Sequence, residues 1–289
     1  MSRASKQVYQ EQLQGVNEIC FTKSLVCGIM SQMKIAVTGK GGVGKTTLSA
    51  ILSILYASEG RRVIAVDADP DANLASALGI AKEETEKIRP IAEITELIEE
   101  RTGAKPGTSG GLFKLNPKVD DIPEDFGYRF NNIVFLRTGK SKEAASGCYC
   151  PENVFLRRLL KHLVLDRDEV VIVDMEAGIE HLTRGTAEAV DAFIVVVEPG
   201  QRSIQTAHTV KDMARGLGVK EVFVVANKTR GKEDVEFIRT HLHDMNLIGS
   251  IRFSNEIMES DLAGKSPFTI KSAVDDVVKI KEVLERHIR

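Results

Sequence analysis

A glycine-rich motif of eight residues constrains the fold of this chain more than any other feature. From Gly39 to Thr46 it reads Gly-Lys-Gly-Gly-Val-Gly-Lys-Thr, which matches the phosphate-loop pattern G-x-x-x-x-G-K-[S/T]. The apolar run at 34–38 predicts a buried strand before the motif, and apolar residues at helical spacing over 47–58 predict a helix after it. This order of strand, loop and helix predicts a nucleotide-binding α/β domain.

The residue types in this loop suit a nucleoside triphosphate with Mg²⁺. Glycines allow backbone N–H groups to surround phosphate oxygens, and the start of the helix adds a partial positive charge. We expect Lys45 to contact the β and γ phosphates and the Thr46 hydroxyl to ligate Mg²⁺. Gly60 is expected to end the helix. The predicted nucleotide-binding residues of the loop are Gly41, Gly42, Val43, Gly44, Lys45, Thr46 and Thr47.

Length and composition narrow the class of protein further. A chain of 289 residues can bury a full core, and we predict a single P-loop NTPase domain over 33–289. The net charge of −2 gives no basic surface for nucleic acid. No apolar run approaches the roughly 18 residues that a membrane span needs. The 4 cysteines have no disulfide-like spacing, which predicts a cytoplasmic location. Residues 1–32 lack periodicity and are predicted to be a disordered extension or the product of a misassigned start.

From Met33 onward, short Val- and Ile-rich runs alternate with helical patterns. The predicted strands are 34–38, 62–67, 132–136, 169–174, 192–197, 221–226 and 247–252. The predicted helices lie near 47–58, 91–101, 152–164, 203–216, 233–244 and 273–287. Continuously apolar strands are typical of a largely parallel sheet flanked by helices on both faces. Ligand-binding groups are then expected at the carboxyl ends of the strands.

Two acidic motifs follow predicted strands. Asp67, Asp69 and Asp71 lie within five residues, and such carboxylates repel each other unless a cation or an attacking water uses them. Asp67 is expected to support either the magnesium shell or the loop. Asp71 and Asn73 are expected to form a turn or cap a helix.

The second acidic motif ends another buried strand. Asp174 follows Val171-Ile-Val173, a pattern typical of a carboxylate that holds Mg²⁺ through its water shell. Gly178 would allow the following loop to move toward the γ phosphate. Glu176 and His181 lie in the same loop, and either a partner contact or a solvent-facing position fits them.

The segment after the strand at 221–226 concerns the nucleotide base. A guanine-binding motif N-K-x-D would need an aspartate where Arg230 stands, and a guanidinium cannot accept a hydrogen bond. Adenine, and therefore ATP, is the predicted base, with Asn227 as a contact. Glu198 and Pro199 are predicted to line the same pocket.

A pair of thiols precedes the helix predicted at 152–164. Cys148 and Cys150 are flanked by Gly147 and Pro151, which favours an exposed turn over two inert residues. A tetrahedral metal site needs four ligands, and two copies of the chain would supply them. A four-thiolate site within one chain would instead recruit Cys20 and Cys27. We disfavour it because ordering that segment costs about 1–2 kcal/mol per residue.

Lys40 gives the loop the deviant form K-G-G-x-G-K-[S/T], which resembles the dimeric ATPase branch of division-site, partition, nitrogenase iron-protein and metal-delivery ATPases. The resemblance implies that Lys40 crosses a dimer interface to the partner's nucleotide. It also implies that Asp69, directly before Pro70, orients the hydrolytic water. The predicted catalytic residues are Lys40, Lys45, Asp69 and Asp174.

Three segments carry a closer resemblance, to the nickel-insertion ATPases of carbon monoxide dehydrogenase maturation. They are 147–152, 174–181 and the insertion at 99–106, together with the deviant loop. The resemblance implies a homodimer with Cys148 and Cys150 of both chains at its interface. It implies that these thiols bind Ni²⁺ or Zn²⁺ and that nickel is delivered to apo carbon monoxide dehydrogenase or a related nickel enzyme.

Two other functions fit parts of the sequence. A dimeric ATPase that bridges an iron–sulfur cluster is the first, although its cysteines would be far apart in sequence. A partition or division-site ATPase is the second, and membrane-bound members end in a basic amphipathic helix. The amphipathic pattern at 273–289 has Asp275, Asp276 and Glu282 on its polar face, so we predict packing on the domain and no stable membrane insertion.

Overall fold

The computed structural model describes residues 33–69, 71–107, 112–139, 151–165, 169–177, 190–219 and 221–288. A sheet of eight strands forms the centre of this part of the chain. The strands are β1 Met33–Thr38, β2 Val63–Ala68, β3 Tyr128–Phe130, β4 Ile133–Arg137, β5 Val170–Met175, β6 Ala192–Val197, β7 Val222–Thr229 and β8 Asn246–Arg252. Their order is β3-β4-β2-β5-β1-β6-β7-β8.

The largely parallel sheet is confirmed. All neighbouring strands pair in parallel except β3, which pairs antiparallel to β4 at one edge. Each of the seven predicted strands begins within one residue of its observed start. The short edge strand β3 was not predicted, because three residues are too few to show alternation.

Helices connect the strands. They are α1 Lys45–Ser58, α2 Leu74–Ala77, α3 Lys82–Thr85, α4 Thr95–Thr102, α5 Ile122–Asp125, α6 Pro151–Leu165, α7 Gln201–Gly216, α8 Lys232–His241, α9 Asn255–Leu262 and α10 Lys271–Ile288. The helix predicted at 91–101 is divided into a 3₁₀ turn at Ile91–Glu93 and α4. Gly60 follows α1 with φ +85°, so the predicted end of this helix is confirmed. Helix α9 was not predicted.

Helices cover both faces of the sheet, as expected for this fold class. Helix α1 packs on β1, β2 and β5, and α10 packs on β8 and α1. On the other face, α4, α6, α7 and α8 contribute to one continuous hydrophobic core with the strands. No helix among the described residues is long and apolar enough to cross a membrane.

Helix α10 packs on the domain, as its amphipathic pattern predicts, but one of its acidic residues was misplaced. Asp276 is only 6% exposed, so it does not lie on the polar face. Its carboxylate accepts hydrogen bonds from the Arg252 Nε and Nη2 atoms at 2.9 and 3.2 Å. The ion pair compensates the buried charge, because an opposite charge offsets the cost of desolvation.

Candidate nucleotide-binding site

The phosphate loop is packed tightly against the ends of β6 and β7. Gly39 has φ +145°, and a Cβ placed on it would lie 2.5 Å from the Val196 carbonyl oxygen. Gly44 has φ +96°, and its Cβ would lie 2.1 Å from the Asn227 Nδ2 atom. Glycine is therefore required at both positions by backbone conformation and by close approach.

Lys45 begins helix α1 and points toward the acidic edge of the site. The residue is 5% exposed, and its Nζ atom lies 3.4 Å from Asp69 Oδ2. Burial makes an unpaired ammonium costly, so the Asp69 carboxylate compensates it. Both residues line the same cavity as the loop glycines, where an ammonium can also meet a phosphate.

Thr46 and Asp174 form the second polar contact of the loop. The Thr46 hydroxyl donates to Asp174 Oδ2 at 2.7 Å, and the Ser49 hydroxyl donates to Oδ1 at 3.3 Å. A hydroxyl beside a carboxylate is the oxygen donor set that Mg²⁺ prefers when phosphates and water complete its shell. These residues therefore fit a magnesium ion bound together with a nucleotide.

Ser49 was not predicted from the sequence. It lies one helical turn after Thr46, on the same side of α1, so helical spacing was the signal that could have located it. Ser49 is fully buried. Its bond to Asp174 fixes the carboxylate that faces Thr46.

Asp67 supports the loop that follows β2. Its carboxylate accepts the backbone N–H of Leu74 at 3.0 Å and that of Asp69 at 3.3 Å. Asn73 occupies the N-cap position of α2, but its side chain makes no capping hydrogen bond. The Asp67 carboxylate instead accepts the backbone N–H of Leu74, the first residue of α2. The Asp69 side chain accepts the Asp71 N–H at 3.0 Å, which forms the expected turn.

The two carboxylates near the ends of β2 and β5 both have raised pKa values, chiefly because they are buried. Asp67 and Asp174 are paired in register on neighbouring strands and are 1% and 0% exposed. Burial and the nearby Asp174 charge raise the pKa of Asp67 to about 7. Burial raises the pKa of Asp174 to about 6, against the Thr46 hydrogen bond and the Lys45 charge. Such a site favours a cation, because a cation stabilises both ionised carboxylates.

The opposite side of the loop is held by the end of β7. Asn227 Nδ2 donates to the Val43 carbonyl at 2.6 Å, and Lys228 Nζ donates to the Gly42 carbonyl at 2.6 Å. The predicted base contact of Asn227 stays a prediction, and the structure adds the bond to the loop. No sequence motif or helical spacing indicates the contact of Lys228 with the loop, because it joins residues 186 positions apart.

Glu198 lies beside the phosphate loop, next to Lys228. Its carboxylate lies between two ammonium groups, 3.2 Å from Lys228 Nζ and 3.9 Å from Lys40 Nζ. The predicted position of Glu198 and Pro199 at the base stays a prediction, and the structure adds these two contacts beside the loop. The Lys40 side chain itself is 38% exposed.

The cavity beside the loop has a volume of about 310 Å³. Its far wall comes from α9 and the segment before it, including Phe253, Ile257 and Met258. The Arg230 guanidinium lies over the Phe253 ring, 5.1 Å from the centroid. Arg230 thus packs on the wall and offers no acceptor, which agrees with the expected preference against guanine.

Part of the predicted site falls outside the described residues. Cys148 and Cys150 lie there, as do Cys20, Cys27, Gly178 and His181. Glu176 is described, and its carbonyl accepts a hydrogen bond from the Thr38 hydroxyl at 2.7 Å while its side chain is exposed. Among the described residues, no group of three or more His, Cys, Asp or Glu side chains is arranged to hold a metal ion by itself.

The fold and the site define a P-loop nucleotide-binding protein of the α/β class. The CbiA family, described as the CobQ/CobB/MinD/ParA nucleotide-binding domain, matches residues 34–268. The chain belongs to this family. With ATP-binding proteins as its relatives, it is an ATPase, and binding of ATP with Mg²⁺ is expected for this family.

Two curated proteins are similar over most of their length. The carbon monoxide dehydrogenase accessory protein CooC of Rhodospirillum rubrum is 49% identical over 84% of this chain and 92% of its own length. An uncharacterised ATP-binding protein of Methanocaldococcus jannaschii is 45% identical over 86% of this chain and 96% of its own. Among solved structures, the septum site-determining protein MinD of Pyrococcus horikoshii, complexed with Mg-ADP, has a TM-score of 0.60 at 21% identity and covers 87% of this chain and 95% of its own.

Proposed function

We propose that this ATPase is a metallochaperone that delivers nickel to apo carbon monoxide dehydrogenase. The observation that carries the proposal is the 49% identity, over 84% of the chain, to a protein named as an accessory protein of that enzyme. The nucleotide site supports ATP as the energy source, because a buried lysine and a hydroxyl–carboxylate pair meet at the phosphate loop. Nickel is the cargo of this reaction and ATP hydrolysis drives its transfer.

The roles within the ATPase follow from the contacts. Lys45 would bind the β and γ phosphates, exchanging its contact with Asp69 for a phosphate oxygen. Thr46 and Asp174 would hold Mg²⁺, which shields the phosphate charge when bound. Asp69, once released from Lys45, would orient the hydrolytic water. Asn227 would keep the loop in shape and contact adenine.

Dimerisation is the second part of the proposal. The Lys40 side chain is 38% exposed and stands 3.9 Å from Glu198, a separation at which an ion pair is weak. A lysine side chain with so weak a contact can extend across an interface and contact the nucleotide of a partner subunit. Two copies closing on ATP would also bring Cys148 and Cys150 of both chains together. Four thiolates would then form a tetrahedral site for Ni²⁺ or Zn²⁺.

The metal site is tested by equilibrium dialysis with Ni²⁺ and with Zn²⁺ under reducing conditions. We expect one metal per two chains, and we expect Cys148→Ser with Cys150→Ser to abolish binding. The chain offers its own matched control, since Cys20→Ser with Cys27→Ser removes the same number of thiols and should leave binding unchanged. A stoichiometry of one metal per chain, or loss of binding in the control pair, would refute the shared site.

The cargo and client are tested by reconstitution. Nickel-loaded protein, ATP and nickel-free carbon monoxide dehydrogenase should together restore carbon monoxide oxidation, whereas the Cys148→Ser/Cys150→Ser protein should not. Replacing ATP by a non-hydrolysable analogue should stop the transfer. If free Ni²⁺ at the same concentration activated the enzyme equally well, delivery to this client would be disproved.

A further inference from the structure

Two consecutive residues at the end of β7 hold two consecutive carbonyls of the phosphate loop. Asn227 bonds the Val43 carbonyl and Lys228 bonds the Gly42 carbonyl, each at 2.6 Å. The Asn227 Oδ1 atom also accepts the Lys228 N–H at 2.8 Å. Lys228 has φ +57°, a left-handed conformation that residues other than glycine rarely adopt. The backbone is therefore turned so that both side chains reach the loop.

Glu198 holds the second of these side chains in place. Its Oε2 atom lies 3.2 Å from Lys228 Nζ. The Glu198 backbone is fixed as well, because its N–H donates to the Ser203 hydroxyl at 3.1 Å at the start of α7. The Lys228 ammonium is thus directed between a carboxylate and a loop carbonyl. Since that side chain is 42% exposed, its direction is set by these two contacts, with the Glu198 carboxylate and the Gly42 carbonyl.

The bond to Gly42 sets the orientation of one peptide group. In a trans peptide the C=O and the N–H point in opposite directions, so fixing the Gly42 carbonyl toward β7 turns the Val43 N–H away from β7. That N–H donates to the Lys40 carbonyl at 3.4 Å, which is a long hydrogen bond. A weakly held N–H is free to bond a phosphate oxygen instead, and charged acceptors form the stronger bond.

We propose that Lys228, held by Glu198, is a positioning residue for ATP hydrolysis. It fixes the Gly42–Val43 peptide so that the Val43 N–H is presented to the phosphates. Lys228 acts through the loop and does not touch the reacting atoms. The inference rests on the ATPase reaction alone, so failure of nickel delivery or of dimerisation would leave it standing.

The central experiment compares Lys228→Met with Lys232→Met. Both remove an ammonium and keep a flexible apolar chain, but Lys232 lies on the exposed start of α8. Losing a hydrogen bond from a charged donor should raise the Kd for Mg-ATP and Mg-ADP by about tenfold and lower kcat in Lys228→Met. Lys232→Met should match the wild type. If Lys228→Met also matched the wild type, the proposal would be overturned.

A second readout separates positioning from general stability. On addition of Mg-ADP, the Val43 amide resonance should shift in the wild type and shift much less in Lys228→Met, while the melting temperature without nucleotide stays close. Lys228→Arg retains a cationic donor and should recover part of the affinity. A protein in which Val43 shifts normally despite Lys228→Met would contradict the assigned role.

Glu198→Gln keeps the proposal testable even if Lys228→Met fails to fold. It removes the charge and retains the side-chain shape, and we expect a rise of about threefold in the Kd for Mg-ATP. In the double variant Glu198→Gln/Lys228→Arg, the effects should not add, because residues acting through one contact are coupled. Full additivity of the two effects would show that Glu198 does not act through Lys228.

Discussion

The two sides of the phosphate loop differ in how their charges are compensated. On the side of β2 and β5, three carboxylates face one buried ammonium. These residues are Asp67, Asp69, Asp174 and Lys45. On the side of β6 and β7, two ammonium groups share one carboxylate. These residues are Lys40, Lys228 and Glu198.

The difference separates a side that needs a ligand from a side that shapes the loop. On the acidic side, burial and neighbouring carboxylates raise the pKa values of Asp67 and Asp174, and this favours a bound cation. The basic side has partners for its polar groups within the chain, since Asn227 and Lys228 bond loop carbonyls. Substitutions on the acidic side should therefore affect chemistry most, and those of Asn227, Lys228 and Glu198 should affect loop geometry.

The largest effect is expected for Lys45→Ala on the acidic side. It removes the only ammonium that pairs with Asp69 in the described part of the chain, and with it a predicted contact to the phosphates. We expect kcat/KM for ATP to fall by about a thousandfold, comparable to losing a preorganised charge-stabilising donor. Steady-state phosphate release measures this.

Lys34→Met is the matched control for Lys45→Ala. Lys34 is also buried, but its Nζ atom donates to the Glu169 carbonyl at 2.9 Å, at the opposite end of β1. We expect a lower melting temperature with an unchanged KM for ATP. Equal losses of kcat/KM in both variants would mean that burial of a lysine, and not its position at the loop, is what the reaction needs.

Asp69→Asn should give the second largest effect. The side chain would keep its shape and its Asp71 contact but lose the charge that orients water. We expect nucleotide binding within a few-fold of the wild type and turnover lower by about a hundredfold. Single-turnover hydrolysis with bound Mg-ATP isolates the chemical step. Near-normal turnover would remove Asp69 from the reaction and leave it as a partner of Lys45 alone.

Local sequence patterns predicted the acidic side of the loop much better than the basic side. The phosphate loop and Asp69 follow strands, and Asp174 lies at the end of β5. The apolar runs of these strands are visible in the sequence and are contiguous with the site residues. The bonds from Asn227 and Lys228 join residues 184 and 186 positions apart, so no local pattern contains them. Helix α9 did leave a signal, since the Ser254 hydroxyl accepts the Glu256 N–H as an N-cap.

The raised pKa values on the acidic side should make the stability of the protein depend on pH. The pKa of Asp67 is raised to about 7 and that of Asp174 to about 6, above their ordinary value of 3.8. The folded protein then binds protons more tightly than the unfolded chain. This contribution to stability is fully present below about pH 4 and is lost as the pH rises through about 7. Without Mg²⁺, the melting temperature should therefore fall from about pH 5 to about pH 8.

Asp67→Asn should flatten this dependence, whereas Asp212→Asn, at an exposed position of α7, should not. Added Mg²⁺ with nucleotide should stabilise the wild type more at the higher pH, because the cation binds ionised carboxylates. Thermal unfolding across this range provides the measurement. A wild-type melting temperature that rose with pH would mean that the acidic side is not short of positive charge.

The smallest effect is expected for Ser49→Ala, which removes the longer of the two hydroxyl hydrogen bonds to the Asp174 carboxylate. Its hydroxyl donates a 3.3 Å bond to Asp174 Oδ1, while Thr46 holds the other carboxylate oxygen at 2.7 Å. Removing the longer bond should weaken the apparent Mg²⁺ affinity by only about threefold, below the range for well-formed outer contacts. Ser53→Ala is the control, because Ser53 is equally buried one turn later and bonds the Ser49 carbonyl instead. Titration of Mg²⁺ at saturating ATP should separate the two variants. If Ser49→Ala lowered the apparent Mg²⁺ affinity tenfold or more, Ser49 would be as important to the metal as Thr46, although no sequence motif indicated it.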